Sequence, residues 1–326
     1  MGGPRILVVR IGSMGDIVHA LPAVATLKHS FPGSGLSWVV DPKWAALLEG
    51  NPFVDRLILL RRRSAKGLAE TWRQLRKSRF DFAVDFQGLV QSALVATLAR
   101  PDRIFGFHQS QAREKLAALF YSNKVCSSSA HVVERNLELA AGAGASAILR
   151  TFPLPEGRPE GKLPEGDYVL AGPLAGWPGK QWPLEYYSVL GRRLREELGL
   201  SLVLTVPVDS AALLGALPDT ESCLCGLAGL IHATRRALAV VGIDSGPLHV
   251  AAALGKPGVA IFGPTDPARN GPYGQTFTVL RSPRARTSYK RRSEADESMR
   301  EISPEAVLEA LKARIAVRRK AAGAPV

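Results

Sequence analysis

The feature that most constrains the fold of this chain is an alternation of short apolar runs with longer amphipathic segments. The runs are almost continuously apolar, as expected for strands buried on both faces of a parallel sheet. Such runs alternating with helices indicate βαβ units, so we predict an α/β fold. The predicted strands are Arg5–Arg10, Leu36–Asp41, Val54–Leu60, Phe80–Phe86, Arg103–Phe107, Tyr168–Pro173, Leu200–Pro207, Ala237–Asp244 and Gly258–Pro264.

A segment rich in proline and glycine, Leu149–Asp167, separates two series of these runs. It has neither helical nor strand periodicity, which is typical of a linker between domains. A length of 326 residues also fits two domains. We therefore predict an N-terminal doubly wound domain over 1–155 and a C-terminal one over 156–326. In such a pair, ligands are expected beyond the carboxyl ends of the strands, in a cleft between the domains.

Composition excludes several classes of protein. No apolar run approaches the length of about 18 residues that a membrane-spanning helix needs, and the opening apolar run is too short for a signal peptide. We therefore expect a cytoplasmic protein. Three cysteines are too few for a disulfide framework. Cys223 and Cys225 have no second ligand pair nearby, so we do not expect a zinc site.

The net charge of +13 predicts an anionic partner. Much of the charge lies in the segment Leu59–Phe80, in which Trp72 and Phe80 are the only aromatic residues. Because nucleic-acid modules usually add several aromatic side chains that stack on bases, nucleic acid is the weaker interpretation. A phospholipid surface, a phosphorylated substrate and a merely solvated charged face remain open.

Two glycine-bounded turns carry the candidate chemistry. In VVRIGSMGDIVHALP, Asp16 either caps a helix that begins at Ile17 or faces a ligand. In VVGIDSGPLHVAAALGKPG, Ser245 or Gly246 caps a helix whose first residue is Pro247. The start of such a helix binds phosphate, although small residues there also allow tight packing. Neither turn has the dinucleotide or P-loop fingerprint.

Three stretches together identify a family. ILVVRIGSMGDIVHALPAV, DFQGLVQSALVA and GIDSGPLHVAAALGKPGVAIFGPTDPARNGPYG resemble the ADP-heptose:lipopolysaccharide heptosyltransferases of glycosyltransferase family 9. The resemblance extends from Arg5 to about Leu311. The combination of SMGDIVHALPA, LSWVVD and HVVERNLELA is most similar to the branch that adds the first heptose to Kdo.

The resemblance implies a GT-B fold, which consists of two Rossmann-like domains facing a cleft, with a final helix at about 303–318 returning toward the N-terminal domain. It implies an inverting transfer of heptose from ADP-heptose to Kdo-lipid A that needs neither a metal nor another cofactor. The implied location is the inner face of the inner membrane, where the protein is peripheral. Nucleic acid is not an implied partner.

The resemblance also assigns roles to individual residues. Asp16 is the general base that accepts the proton of the attacking hydroxyl. The donor site is assigned to Lys180, Asp244, Ser245, Gly246 and His249. The acceptor site is assigned to Ser13, Gly15, Arg61, Arg62 and Arg63.

Simpler roles remain open for several of these residues. His249 could be a packed core residue and Asp244 a capping acid, and Lys180 could be a solvated loop residue. At the level of function, the alternatives are a transferase of the same fold with another nucleotide-sugar and a non-catalytic relative that binds glycolipid or nucleotide. The presence of Asp16 favours an enzyme, since a non-catalytic relative would be free to lose it.

Overall fold

The computed structural model of the protein describes residues 2–213, 217–288 and 294–321. The chain divides into two compact units, Met1–Pro155 and Glu156–Val326. The predicted linker contains the division and has no helix or strand. Among the described residues, no helix is both long enough and apolar enough to cross a membrane.

The first unit is built from parallel strands and the helices that connect them. Its strands are β1 Arg5–Val9, β2 Gly35–Val40, β3 Arg56–Leu59, β4 Phe82–Asp85, β5 Arg103–Phe107 and β6 Asn123–Val125. Its α-helices are α1 Met14–Ser30, α2 Ala65–Lys77, α3 Val90–Leu98 and α4 Val132–Gly142, and two 3-10 helices span Pro42–Leu48 and Lys115–Phe120.

The six strands form one sheet in the order β3-β2-β1-β4-β5-β6, and every pair is parallel. This is the doubly wound order: strands are added on one side of β1 and then, from β4, on its other side, so the order of strand addition reverses between β1 and β4 while all strands stay parallel. Strand pairing aligns Val9 with Asp85 at the carboxyl ends of those two strands. The turns that follow them are therefore neighbours, at the edge where doubly wound sheets bind their ligands.

The second unit repeats this design. Its strands are β7 Tyr168–Gly172, β8 Ser201–Val206, β9 Glu221–Leu224, β10 Ala239–Ile243, β11 Gly258–Phe262 and β12 Phe277–Arg281. Its α-helices are α5 Leu184–Leu198, α6 Leu227–Arg236, α7 Gly246–Ala253, α8 Pro267–Asn270, α9 Glu297–Arg300 and α10 Pro304–Ala321, with 3-10 helices over Pro178–Lys180 and Val208–Leu213.

The second sheet has the order β12-β11-β10-β7-β8-β9 and is also parallel throughout. Counted within the unit, this is the same order as in the first sheet, with the reversal between β7 and β10. The prediction of two Rossmann-like, doubly wound parallel sheets is confirmed. Gly199 ends α5 in the left-handed conformation with φ 64°, as its place after an amphipathic helix predicts.

Some element boundaries differ from the predictions. α1 begins at Met14 with Ser13 as its N-cap, so the interpretation of Asp16 as an N-cap is wrong. α7 begins at Gly246, one residue before the predicted start, with Ser245 as its N-cap. The final helix, α10, packs on α5 and on β10, β11 and β12 of its own unit, and its return toward the first domain stays a prediction.

Candidate active site

Asp16 lies in the first turn of α1, directly after the turn that follows β1. It is the third residue of the helix, and its carboxylate Oδ2 accepts hydrogen bonds from the backbone N–H of Ser13 at 3.2 Å and from the Ser13 hydroxyl at 3.1 Å. An acid at this position satisfies a donor that the first turn leaves without a helical partner. It also gains from the positive end of the helix dipole.

Two arginines hold the Asp16 carboxylate. Arg10 Nη2 lies 2.5 Å from Asp16 Oδ1, and Arg113 Nη1 lies 3.3 Å from Asp16 Oδ2. Burial alone would raise the pKa of Asp16, but Arg10, Arg113 and the Ser13 N–H outweigh it and hold this pKa well below its ordinary range. The side chain of Arg10 is 4% exposed and that of Arg113 is 49% exposed. Asp16 is therefore an ionised carboxylate with one fixed and one accessible partner.

The turn after β4 supports the turn after β1. Gln87 Oε1 accepts hydrogen bonds from the backbone N–H groups of Ile11 at 2.7 Å and Gly12 at 3.3 Å. The guanidinium of Arg10 donates to the carbonyl oxygen of Phe86. These contacts tie the backbone that leads into α1 to the neighbouring strand. The turn that precedes Asp16 is therefore held in place by the turn after β4.

The predicted acceptor residues Ser13 and Gly15 are in the same turn and the same helix start as Asp16. Ser13 is exposed, whereas Gly15 is buried. Arg61, Arg62 and Arg63 are exposed in the turn after β3.

The arginine cluster lies at the same sheet edge as Asp16, because it follows the carboxyl end of a strand in the same parallel sheet. Arg62 pairs with Asp41 at 3.2 Å and donates to Gln91 Oε1 at 3.0 Å. Asp41 follows β2, which lies between β1 and β3. The cluster and Asp16 are thus two strands apart along one edge of the first sheet.

In the second unit, Asp244 follows β10, one of the two strands between which the order of strand addition reverses. Lys180 Nζ lies 2.6 Å from Asp244 Oδ2, and His249 Nε2 lies 3.6 Å from Asp244 Oδ1. Burial would raise the pKa of Asp244, but hydrogen bonding by His249 and the charge of Lys180 lower it well below its ordinary range. A buried carboxylate therefore holds both Lys180 and His249 beside the start of α7.

The start of α7 is built for close approach. A Cβ atom on Gly172, the last residue of β7, would lie 2.9 Å from Pro247 Cβ, so only glycine fits against the helix there. The hydroxyl oxygen atoms of Ser245 and Thr265 are buried, and neither has a hydrogen-bond partner in the described part of the chain. Buried hydroxyl groups are normally paired. Both follow neighbouring parallel strands, β10 and β11, so they lie at the same edge of the sheet, the edge at which α7 begins.

This arrangement can bind an oxyanion. It combines the free N–H groups and the dipole of α7 with the ammonium group of Lys180 and two unsatisfied hydroxyl groups. Of the predicted donor residues, the structure brings Lys180, Asp244, Ser245, Gly246 and His249 together at this point.

Cys223 and Cys225 are buried and form no disulfide. Residues 2–213, 217–288 and 294–321 contain no group of three or more His, Cys, Asp or Glu residues placed to hold a metal ion.

Sequence reasoning missed Arg10, Gln87 and Arg113 as parts of these sites. Thr265 lies in a stretch of the family resemblance that was interpreted either as a loop near the nucleotide or as a turn that ends a strand. Arg10 had a signal, since it directly follows β1 in the same motif as Asp16. Gln87 had one too, because it follows the strand beside β1. Arg113 is 97 residues from Asp16 and lies in no motif, so no local pattern could have connected the two.

The chain matches the family model described as "Glycosyltransferase family 9 (heptosyltransferase)" over residues 68–299. It is 32% identical to lipopolysaccharide heptosyltransferase 1 of Pseudomonas aeruginosa over 85% of this chain and 84% of that protein. It is 30% identical to lipopolysaccharide heptosyltransferase 1 of Escherichia coli K12 over 94% of this chain and 99% of that protein.

Among solved structures, the E. coli heptosyltransferase WaaC with ADP superimposes with a TM-score of 0.77 at 28% identity, over 95% of this chain and 99% of that chain. The family match covers more than half of the chain, and the relatives are matched over most of their length. The chain therefore belongs to glycosyltransferase family 9, the heptosyltransferase family, and is a glycosyltransferase.

Proposed function

We propose that this protein transfers heptose from ADP-heptose to the Kdo of Kdo-lipid A. Relatives at 30% identity or more are named lipopolysaccharide heptosyltransferase 1. Two similar structures are those of E. coli heptosyltransferase WaaC with ADP and with ADP-2-deoxy-2-fluoro heptose. The single observation in this chain that carries the proposal is the group of donors at the start of α7, which includes Lys180 and two hydroxyl groups without a hydrogen-bond partner in the described part of the chain. We propose that this group, the oxyanion site, binds the anionic leaving group.

In the proposed reaction, the acceptor hydroxyl oxygen attacks C1 of the heptose while the C1–O bond to ADP breaks. The hydroxyl proton passes to Asp16, and the bonding electrons leave with ADP. A single displacement of this kind inverts the configuration at C1. A positioned base is worth roughly 10²- to 10⁴-fold in rate.

The charge that develops on the departing diphosphate is stabilised by donors that are already in place. The start of α7, the Lys180 ammonium group and the hydroxyl groups of Ser245 and Thr265 supply these donors. Asp244 holds Lys180 in position. The ammonium group and the helix dipole supply positive charge, and the hydroxyl groups supply hydrogen bonds. Because these donors can stabilise the diphosphate without a metal, we propose a metal-independent transfer.

The acceptor is anionic, since lipid A carries phosphates and Kdo carries a carboxylate. We assign its binding to Arg61, Arg62 and Arg63 and to the exposed Arg113 beside Asp16, because guanidinium groups pair with such anions in a two-pronged geometry. Ser13 and Gly15 contribute through the turn that presents Asp16. We place the protein at the inner face of the inner membrane as a peripheral protein, where this acceptor is made.

The test is to incubate the purified protein with ADP-heptose and Kdo-lipid A and to search by mass spectrometry for the addition of one heptose. UDP- and GDP-linked sugars serve as controls, and a parallel reaction with EDTA tests the independence from metals. We expect addition only with ADP-heptose and no effect of EDTA. Transfer from a different nucleotide-sugar would identify a transferase of the same fold, and binding without transfer would identify a non-catalytic relative.

A further inference from the structure

Three helical elements of the first unit expose large apolar side chains in pairs that are one turn apart. Leu68 and Trp72 are four residues apart on α2, and Leu94 and Leu98 are four apart on α3. Residues at this spacing share one face of an α-helix. The 3-10 helix over Lys115–Phe120 adds a pair three residues apart, which is one turn of a 3-10 helix. The exposed fractions are 47% for Leu68, 53% for Trp72, 43% for Leu94, 48% for Leu98, 64% for Leu116 and 72% for Leu119.

These pairs lie on one side of the sheet. The inner residues of all three elements pack in a single core with strand residues such as Leu7 and Val9. α2 contacts α3, and α3 contacts the 3-10 helix, whereas α1 and α4 pack against each other. Because the inner sides of the three elements cover one core, their outer sides point away from the same face of the sheet. We call the six exposed residues the apolar face.

Basic side chains accompany the apolar residues of α2 and begin the 3-10 helix, whose N-cap is the exposed Glu114. On α2, Lys66, Arg73, Arg76 and Lys77 are exposed and Glu70 is the only acidic residue. The guanidinium of Arg76 lies over the Trp72 ring, at 6.0 Å from its centroid. The 3-10 helix begins at Lys115. Exposed leucine and tryptophan beside several lysines and arginines are typical of a helix face that lies in the interface of an anionic bilayer.

We propose that the apolar face docks on the surface of a bilayer that contains anionic phospholipid. Trp72 and the leucines enter the boundary between headgroups and acyl chains, and the lysines and arginines of α2 with Lys115 contact the phosphates. The proposal deepens the proposed function and rests on it for its purpose, which is access to a glycolipid acceptor.

The position of Arg113 supports this link. Arg113 pairs with Asp16 at 3.3 Å, and the 3-10 helix that carries Leu116 and Leu119 starts two residues later. When the apolar face is docked, Arg113 therefore lies within a few residues of the bilayer surface. This places Asp16, the proposed base, near the sugar of a glycolipid acceptor in that bilayer.

The test is flotation of the full chain with vesicles of phosphatidylethanolamine and phosphatidylglycerol that contain no Kdo-lipid A, compared with vesicles of phosphatidylcholine. The test variant replaces Trp72, Leu116 and Leu119 by Ser. The matched control replaces the exposed Val208 and Val317 of the second unit by Ser. Circular dichroism shows whether each variant is folded.

We expect the unaltered protein and the control to float with the anionic vesicles, and the bound fraction to fall at high salt. The test variant should bind at least tenfold more weakly. Equal binding by the test variant and the control would overturn the proposal, as would equal binding to both kinds of vesicle. Analytical ultracentrifugation provides a third outcome against the proposal. If the unaltered protein is a dimer and the triple substitution makes it a monomer without changing vesicle binding, the apolar face binds a second copy of this chain and not a bilayer.

A second assay separates this proposal from the proposed function. With Kdo-lipid A from which the acyl chains have been removed, the triple variant should transfer heptose as fast as the unaltered protein. With the intact glycolipid in vesicles it should be slower. A rate deficit of the folded triple variant on the deacylated acceptor would contradict a docking role. Absence of transfer by the unaltered protein, with vesicle binding intact, would refute the proposed function and leave docking standing.

Discussion

The two guanidinium groups on Asp16 are held to different degrees. Arg10 is buried and also bonded to the carbonyl of Phe86, whereas Arg113 is half exposed. A base works best with a pKa near the working pH, so a carboxylate with a strongly lowered pKa is a weak base. An acceptor anion can draw Arg113 away from Asp16 but cannot easily draw Arg10. We therefore expect acceptor binding to raise the pKa of Asp16 toward its ordinary value.

The substitution Arg113→Ala tests this coupling through the pH profile. It removes a cation from Asp16 in the free enzyme, so the pKa of that carboxyl rises. In the proposed reaction the ionised form of Asp16 is the base, so activity should be lost at a higher pH as the solution is acidified. The measurement is kcat/KM against pH, which reports ionisations of the free enzyme. Arg79→Ala, which removes an exposed arginine paired with Asp102, is the control. An acid limb that does not move would show that Arg113 has no influence on the base.

The arginine cluster after β3 should act on the acceptor and not on the donor. Replacing Arg61, Arg62 and Arg63 by Ala removes charge-assisted contacts worth about 1.5–3 kcal/mol each when fully formed. We expect the KM for Kdo-lipid A to rise about tenfold or more, with the KM for ADP-heptose nearly unchanged. Steady-state kinetics with each substrate varied in turn provides the measurement. Equal increases in both constants would contradict an acceptor role.

At the scale of elements, Asp85 joins three segments of the first unit. Its side chain is fully buried at the end of β4. It accepts hydrogen bonds from the backbone N–H groups of Gln87 and Gly88, from Ser92 Oγ on α3 at 2.7 Å, and from Tyr121 Oη after the 3-10 helix at 2.7 Å. Burial raises the pKa of Asp85, although these four donors oppose the rise. The carboxyl group thus fixes the turn that carries Gln87.

Removing this group should destabilise the first unit. Asp85→Ala leaves four donors without their acceptor, so we expect the free energy of unfolding to fall by about 2 to 4 kcal/mol. Urea unfolding followed by circular dichroism gives the value. Asp102→Ala is the matched control, since an exposed ion pair contributes less than about 1 kcal/mol. Equal stability of the two variants would mean that water replaces the carboxyl group without loss.

The sequence predicts elements well where the apolar pattern is strong. The central strands are buried on both faces, so their continuous apolar runs were recognisable. The edge strands β6 and β9, with the sequences NKV and ESCL, are short and mostly polar, and they form because a neighbouring strand offers a ladder of hydrogen bonds. The helix start at Ser13 was missed because both Ser13 and Asp16 are suitable N-cap residues. In a capping box, an acid at the third helical position also accepts a hydrogen bond from the N-cap backbone, so the sequence alone did not distinguish the two.

At the scale of the whole molecule, one strand order occurs in both units, but the two reversal points carry different chemistry. The first presents a carboxylate held by arginines, and the second presents a lysine and free hydroxyl groups at a helix start. The sequence predicted this division, since Asp16 and the Asp244–His249 stretch lie in recognisable motifs. It could not predict Arg113, whose contact with Asp16 joins residues far apart in the sequence and exists only in the folded chain.

This difference between the two units predicts which backbone amide groups ADP protects from hydrogen exchange. Hydrogen–deuterium exchange with and without ADP should show slower exchange in the turn after β7, around Lys180, and at the start of α7. Residues 10–16 of the first unit should change little. The variant Lys180→Ala should lose most of the protection, because it removes the ammonium group beside the oxyanion site. Protection confined to residues 10–16 would mean that the nucleotide binds beside Asp16 instead.

The decisive experiment concerns Asp16 itself. Asp16→Asn keeps the shape of the side chain and an acceptor for the Ser13 N–H, but it cannot take a proton from the acceptor hydroxyl. Heptose transfer is measured by mass spectrometry under saturating substrates, and ADP affinity is measured by calorimetry on the same preparation. We predict a fall in kcat of a hundredfold or more with an unchanged Kd for ADP. Near-normal turnover, or loss of ADP binding, would contradict the assignment of Asp16 as the base.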